Sequence, residues 1–146
     1  PTFLNLFKAL GEDINDYIQL TRQNLLARHW WPDGTSLDLH DSFEATHHDI
    51  THVFGSTSAT EFTRFYDDTK QLFDCFDKPV MQNARPNLGI MTKAVLSDPD
   101  VMVKMRPLAS LEKSLNMYFT DPKLRQLFGR YATYVGGMPH SAPALL

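Results

Sequence analysis

Phe3, Leu6, Phe7 and Leu10 recur at helical spacing and Gly11 follows them, which predicts a short amphipathic helix closed by a left-handed residue. From Tyr17 the period changes. Ile18 and Leu20 alternate with Gln19 and Thr21, Leu26 to Trp31 makes a second extended run, and Ser36 to His40 alternates through Leu37 and Leu39. Pro32-Asp33-Gly34 divides the last two runs, with proline suited to the second position of a turn and glycine to a residue of positive φ. This pattern predicts a β-hairpin turning at Pro32 to Thr35 and a third strand beside it, through Ile18 and Leu20.

Beyond Asp41 the period is helical almost to the end. Asp41 and Glu44 have capping-box spacing ahead of a stripe of Phe43, His47, Ile50 and Phe54, which Gly55 stops. Ser58 and Glu61 repeat that spacing before the strongest stripe in the chain: Phe62, Phe65, Tyr66, Thr69, Leu72, Phe73 and Phe76, ending at Pro79. Residues 80–87 read as a loop, Leu88 to Leu96 as a short helix, and Asp98-Pro99 as the start of another. Leu108, Leu111, Leu115 and Phe119 form a further stripe. Asp121-Pro122 is a cap followed by a first helical residue, leading into Leu124, Leu127, Phe128, Tyr131 and Val135 before Gly136-Gly137. The fold class is α+β: a helix plus antiparallel strands over residues 1–41, and a helical part over residues 42–146. Pro1 lies inside a helical pattern without an initiator Met. Pro143-Ala144-Leu145-Leu146 reads as the first turn of a new helix with Ser141 as its cap, so the chain is expected to be a piece of a longer polypeptide.

Composition narrows the chemistry. The chain has 146 residues, the size of one domain, and 42% are hydrophobic, enough to build a core. Its 14 Lys+Arg against 17 Asp+Glu give a net charge of −3 without a basic run, which argues against a nucleic-acid partner. One cysteine excludes an internal disulfide and any Cys-based zinc or iron–sulfur site. Gly136, Gly137, Pro139 and Pro143 interrupt the longest stretch free of charged residues, Tyr131 to Leu146, so no membrane span is expected.

His48-Asp49-Ile50-Thr51-His52 puts two histidines four apart on one helix face, as in zinc-binding H-E-x-x-H. Asp replaces the longer Glu and no third ligand is evident, so no metal is expected. Cys75 lies at the end of an apolar stripe without a local cation to activate it, and reads as a small apolar filler. Neither a G-x-S-x-G elbow nor a glycine-rich phosphate loop occurs. Trp30 and Trp31 point to opposite faces of a strand, so at least one ring should meet a core or an apolar ligand. The aromatic helices and six methionines suit either a plain core or the wall of a tunnel for a long apolar ligand, and spacing alone leaves both open.

Two stretches say more. Leu25-Leu26-Ala27-Arg28-His29-Trp30-Trp31-Pro32-Asp33-Gly34, continuing through Leu37-Asp38-Leu39, resembles a segment of bacterial carotenoid desaturases. Asp121-Pro122-Lys123-Leu124-Arg125-Gln126-Leu127-Phe128-Gly129-Arg130-Tyr131-Ala132-Thr133-Tyr134-Val135-Gly136-Gly137, with Pro139 and Ala142 to Leu146, resembles a second. Between Phe43 and Leu111 the likeness is in helical character only. Both stretches resemble the phytoene-desaturase type of flavoprotein, as it occurs in photosynthetic bacteria.

That resemblance implies a Rossmann-type FAD domain and a separate substrate domain, with residues 1–146 similar to the substrate domain and the flavin fingerprint absent from them. It implies removal of two hydrogens across the C3–C4 bond of a hydroxylated acyclic carotenoid, with phytoene as the alternative substrate. It implies FAD as cofactor of the whole protein, and a cytoplasmic enzyme peripheral to the inner membrane, drawing its substrate through an apolar tunnel. Candidates for the tunnel wall are Trp30, Trp31, Phe62, Phe65, Phe73 and Tyr134. Arg130, Gly136 and Gly137 are candidates for the flavin side, since glycine permits close backbone contact. No residue stands out as acid or base. A helical lipid- or pigment-binding module without redox chemistry, and a purely structural interaction domain, are the competing readings.

Overall fold

The computed structural model describes residues 2–85, 87, 89, 92, 95–96, 99–106 and 109–144. Helix α1 (Thr2–Leu10) stands where the period puts it, and Gly11 ends it at φ 76°. None of its residues is buried, although Phe7 meets Tyr17 with ring centroids 5.3 Å apart. A 3₁₀ turn follows (Ile14–Asp16), capped by Asp13, whose carboxylate accepts from the Asn15 N–H at 2.8 Å. Only Ile14 in this region is buried.

The expected strand through Ile18 and Leu20 is not formed. Both side chains are exposed, at 48% and 58%, and the sheet has two strands. Alternation marks a strand only where a neighbouring edge and a core face are both on offer. Here the 3₁₀ turn directs the segment along the surface, and Arg22 ties it to Asp41 at 2.6 Å.

The hairpin forms as expected, from β1 (Leu25–Trp30) and β2 (Ser36–His40) in antiparallel register, with a slip between Leu25 and Ala27. The Trp31 N–H donates to the Thr35 carbonyl (2.9 Å) and the Gly34 N–H to that of Trp31 (3.0 Å). Leu37 and Leu39 of β2 are buried. On the other face Arg28 grips Asp38 with two bonds of 2.6 Å.

Helix α2 (Phe43–Phe76) packs on β2. Its cap is Ser42, which accepts from the Ala45 N–H at 3.1 Å, and not the expected Asp41, which is engaged by Arg22. Gly55 breaks the helix as the stripe implies, at φ 87° and ψ 171°, but helical geometry resumes directly after it. Ser58 is therefore buried inside the helix instead of capping one, and Glu61 reaches across to accept from the Thr120 N–H at 3.1 Å. That backbone conformation is essentially reserved for glycine, so Gly55→Ala is expected to cost about 1–2 kcal/mol. Urea denaturation measures the cost directly. A neutral outcome would mean that the bend is not held in solution.

At Pro79, which has no N–H to donate, the α2 ladder widens into a π turn (Asp77–Met81), with the Gln82 N–H reaching the Asp77 carbonyl at 2.8 Å. The helix expected over Leu88 to Leu96 lies largely outside the described residues, as does Leu108 of the next stripe. Helices α3 (Pro99–Met105), α4 (Leu111–Tyr118) and α5 (Pro122–Gly129) follow. Asp121 caps α5 as predicted, accepting from the Lys123 N–H at 2.7 Å. After Gly129 the chain tightens into a 3₁₀ turn (Arg130–Val135), so Tyr131 and Val135 leave the buried stripe and are 41% and 59% exposed. No helix starts at Ser141 up to Ala144. Pro143 bridges to Ser110, and the Ala144 N–H donates to the Ala109 carbonyl at 2.9 Å.

The core joins Leu37 and Leu39 of the sheet to Ile50 and Phe62 of α2, Leu115 of α4, and Leu124 and Phe128 of α5. At its centre Phe128 stacks on Phe119 (5.1 Å) and Phe62 (6.0 Å) and tilts against Phe65 (4.8 Å). The described residues are thus mainly helical, with one small antiparallel sheet. Among the described residues no helix is long and apolar enough to cross a membrane.

Candidate functional site

Where α4, α5 and the following 3₁₀ turn meet, they enclose an open cleft of about 580 Å³. Leu115, Gly129 and Pro139 give it an apolar floor, while Asn116, Arg125 and Arg130 bring polar groups to it. Gly129 is required there by space: a Cβ would lie 3.3 Å from the Pro139 ring. Pro139 in turn is tied to α4, its carbonyl accepting from the Glu112 N–H at 2.9 Å. Arg125 is held by Asn116 Oδ1 at 2.8 Å.

The hairpin supports this region. Trp31, just beyond β1, donates from Nε1 to Gln126 Oε1 at 2.8 Å and meets Phe54 edge-on at 5.9 Å. Lys123 lies 5.9 Å from the Trp31 ring and bonds both Asp33 and Thr35, so the hairpin turn is fastened to α5. Hydrogen bonds from Lys123 and Thr35 hold the Asp33 carboxyl down at about 2. His29 lies on the same β1 face as Ala27, with its ring 6.5 Å from that of Trp31. Burial first, and then the Arg130 charge, push the His29 pKa below its ordinary value, so the imidazole is neutral near pH 7. His29 Nε2 and Arg130 Nε are both cut off from solvent, and neither has a hydrogen-bond partner.

The six tunnel candidates are not brought together. Phe62 is core, and Phe65 and Trp31 pack against that core. Trp30 (71% exposed), Phe73 (59%) and Tyr134 (76%) lie on the surface. Trp30 lines a smaller groove, of about 290 Å³, with Arg28, Asp38, Asp49 and His52. Tyr134 stacks on Tyr131 at 5.7 Å.

Of the flavin-side candidates, Gly136 is the left-handed residue that ends the 3₁₀ turn, at φ 69°. Gly137 makes room for its own chain, since a Cβ there would lie 3.3 Å from that of Ala142. Each glycine thus has a reason in the geometry of its own stretch of chain.

His48 turns to Asp49 (3.1 Å), and Asp49 also accepts from His40 Nε2 at 2.8 Å. Hydrogen bonds from His40 and then His48 hold the Asp49 carboxyl below the usual carboxylate range. Asp38, His40 and Asp49 bring three donor atoms within 4.8 Å of one another, from β2 and α2. No sequence spacing signals that grouping, and Arg28 and His40 already engage its carboxylates. The influence of the Arg130 charge on His29 likewise escapes sequence reading, because the two residues lie far apart along the chain.

No protein-family model matches the chain. It is 42% identical over 144 residues to the hydroxyneurosporene desaturase of Cereibacter sphaeroides, a match covering 99% of the chain and 29% of that relative. To the hydroxyneurosporene desaturase of Rhodobacter capsulatus it is 40% identical over 97% of the chain and 28% of the relative. To that of Rubrivivax gelatinosus it is 36% identical over 99% of the chain and 28% of the relative. The chain therefore spans less than a third of the length of the curated relatives it matches, and within that span its similarity is to carotenoid-desaturase sequences from end to end.

Proposed function

We propose that the protein containing this chain is an FAD-dependent carotenoid desaturase that removes two hydrogens across the C3–C4 bond of a hydroxylated acyclic carotenoid. One observation carries the reading: identity of 36–42% to three proteins named hydroxyneurosporene desaturase, sustained over 97–99% of the chain. Residues 1–146 are its substrate-handling part, beside a Rossmann-type domain that holds the flavin. No residue of this chain is assigned to the flavin or to the transfer of electrons. The chain's contribution is to orient a long apolar substrate and keep water from it, and the cleft with its apolar floor of Leu115, Gly129 and Pro139 suits one end of such a molecule. A carotenoid is nearly insoluble, so the reading places the enzyme on the cytoplasmic face of the inner membrane.

The test supplies 1-hydroxyneurosporene or phytoene in vesicles to the full-length flavin-loaded protein. The expected product from 1-hydroxyneurosporene has lost two hydrogens and absorbs at longer wavelength, because the conjugated polyene has grown by one double bond. Turnover of phytoene alone would move the assignment to the other activity of the family.

A further inference from the structure

Residues 122–146 carry Lys123, Arg125 and Arg130 and not one carboxylate. Lys123 is engaged by Asp33 in the hairpin turn. Arg125 and Arg130 instead line one space, the cleft of about 580 Å³ between α4, α5 and the following 3₁₀ turn. Among the described residues neither forms an ion pair. Asn116 holds Arg125 at 2.8 Å, and Arg130 lies over the Tyr131 ring at 5.4 Å. The one carboxylate among the described residues of the cleft wall, Glu112, is in the first turn of α4, where the positive end of the helix offsets its charge. Two half-buried guanidinium groups in one cleft suit an anion, and their planar forks suit the oxygens of a phosphate.

The surroundings say which phosphate. Leu115, Gly129 and Pro139 make the floor apolar. Next in the chain to the wall residues Thr133 and Pro139 stand Tyr134, Val135 and Met138, all exposed, as is Tyr131, which stacks on Tyr134. A bilayer surface is layered in the same way: phosphates lie above acyl chains, and tyrosine favours the boundary between them. A small soluble anion has no use for the apolar groups. Helix α1 also exposes apolar side chains, Phe3, Leu6 and Leu10, but Glu12, Asp13 and Asp16 follow it directly, and an anionic membrane surface repels them. Charge therefore favours the cleft face.

We propose that this face rests on an anionic phospholipid bilayer: Arg125 and Arg130 bind lipid phosphate groups, and Tyr131, Tyr134, Val135 and Met138 enter the boundary between headgroups and acyl chains. The inference rests on the functional reading above, which calls for a membrane, and goes beyond it by naming the surface that meets the lipid. The cleft then opens directly onto the bilayer, so a carotenoid passes into it without crossing water.

The test floats the full-length holoenzyme with vesicles of phosphatidylcholine, alone or mixed with phosphatidylglycerol. The unaltered protein is expected to bind the mixed vesicles more tightly, and less so as salt is added. Arg125→Gln and Arg130→Gln should each weaken that binding by about 5-fold and the double variant by about 25-fold, whereas Arg125→Lys with Arg130→Lys keeps most of it. Tyr134→Ser with Val135→Ser should weaken binding to both kinds of vesicle by about 10-fold. Phe3→Ser with Leu10→Ser, on α1, should leave it unchanged. Flavin absorbance and circular dichroism of each variant read the fold apart from the lipid. Lost vesicle binding with flavin content and fold retained supports the proposal. Loss of flavin or fold in the arginine variants along with binding marks this face as packed against the rest of the polypeptide and overturns it. Binding indifferent to phosphatidylglycerol and salt does the same, as does binding that the α1 substitutions abolish and the arginine substitutions spare. Turnover of 1-hydroxyneurosporene in detergent micelles tests the functional reading separately, since micelles present the substrate without a bilayer.

Discussion

Phe128→Ala is expected to destabilise the protein by about 3–5 kcal/mol, the range for removing a large buried aromatic side chain. Phe128 is 7% exposed and touches rings from two other parts of the chain: Phe62 and Phe65 on α2, and Phe119 after α4. Two of these contacts are stacked, with interplanar angles of 16° and 11°. Rings held from several directions cannot all move inward, so the cavity would stay open and the loss should fall in the upper part of that range. Phe128→Leu fills most of the space and should cost less than half as much. Urea denaturation of both variants checks this, and a loss near 1 kcal/mol for the alanine variant would mean that the cluster is looser in solution.

Asp68→Ala is expected to cost about 3 kcal/mol, because it strips two partners at once. Asp68 accepts from the Tyr118 hydroxyl at 2.8 Å and pairs with Lys104 at 2.9 Å, with its side chain 18% exposed. Arg64 and Arg106 approach the Tyr118 ring at 5.2 and 5.1 Å, so removal of the carboxylate leaves a cluster of cations around a phenol that has lost its acceptor. Burial pushes the Asp68 carboxyl up, but hydrogen bonds from Lys104 and Tyr118 and the charges of Lys104 and Arg106 outweigh it and hold the group below its ordinary range. Its contribution is therefore complete above about pH 4 and drains away as the pH falls through the folded value. Tyr118 behaves in the opposite sense. Burial, and then the bond to Asp68, push its phenol up to about 12. The unfolded chain gives up that proton near pH 10, so stability should fall as the pH rises above about 10 and level off beyond the folded value. Tyr118→Phe should abolish this alkaline loss, and stability measured between neutral and strongly alkaline pH reads it. An alkaline limb that survives the substitution would assign it to another group.

Where structure depends on neighbours in the sequence, the pattern alone reveals it. Asp121 and Pro122 carry their own start signal, and Pro32 to Gly34 carry a turn, so α5 and the hairpin are legible without the fold. Ile18 and Leu20 mislead because their alternation has no partner edge, a matter of tertiary pairing that no local rule contains. Tyr131 and Val135 mislead for a different reason. A stripe extrapolated at 3.6 residues per turn drifts off the buried face once the helix tightens after Gly129. Asp41 has the spacing of a cap, yet Ser42 wins the position while Asp41 pairs with Arg22. The aromatic positions show which side chains are large and apolar, but not that Phe62 belongs to the core while Phe73 stays exposed. His29 and Arg130 carry no motif, and the burial of His29 Nε2 and Arg130 Nε without partners shows only in the folded chain.

Competition between substrates bears most directly on the account as a whole. With equal amounts of 1-hydroxyneurosporene and neurosporene offered together to the full-length holoenzyme, the ratio of products gives the ratio of kcat/KM without dependence on how much enzyme is active. The account predicts that the hydroxylated chain is consumed preferentially, by about 10-fold or more. Equal consumption, or preference for the chain without a hydroxyl, would contradict it.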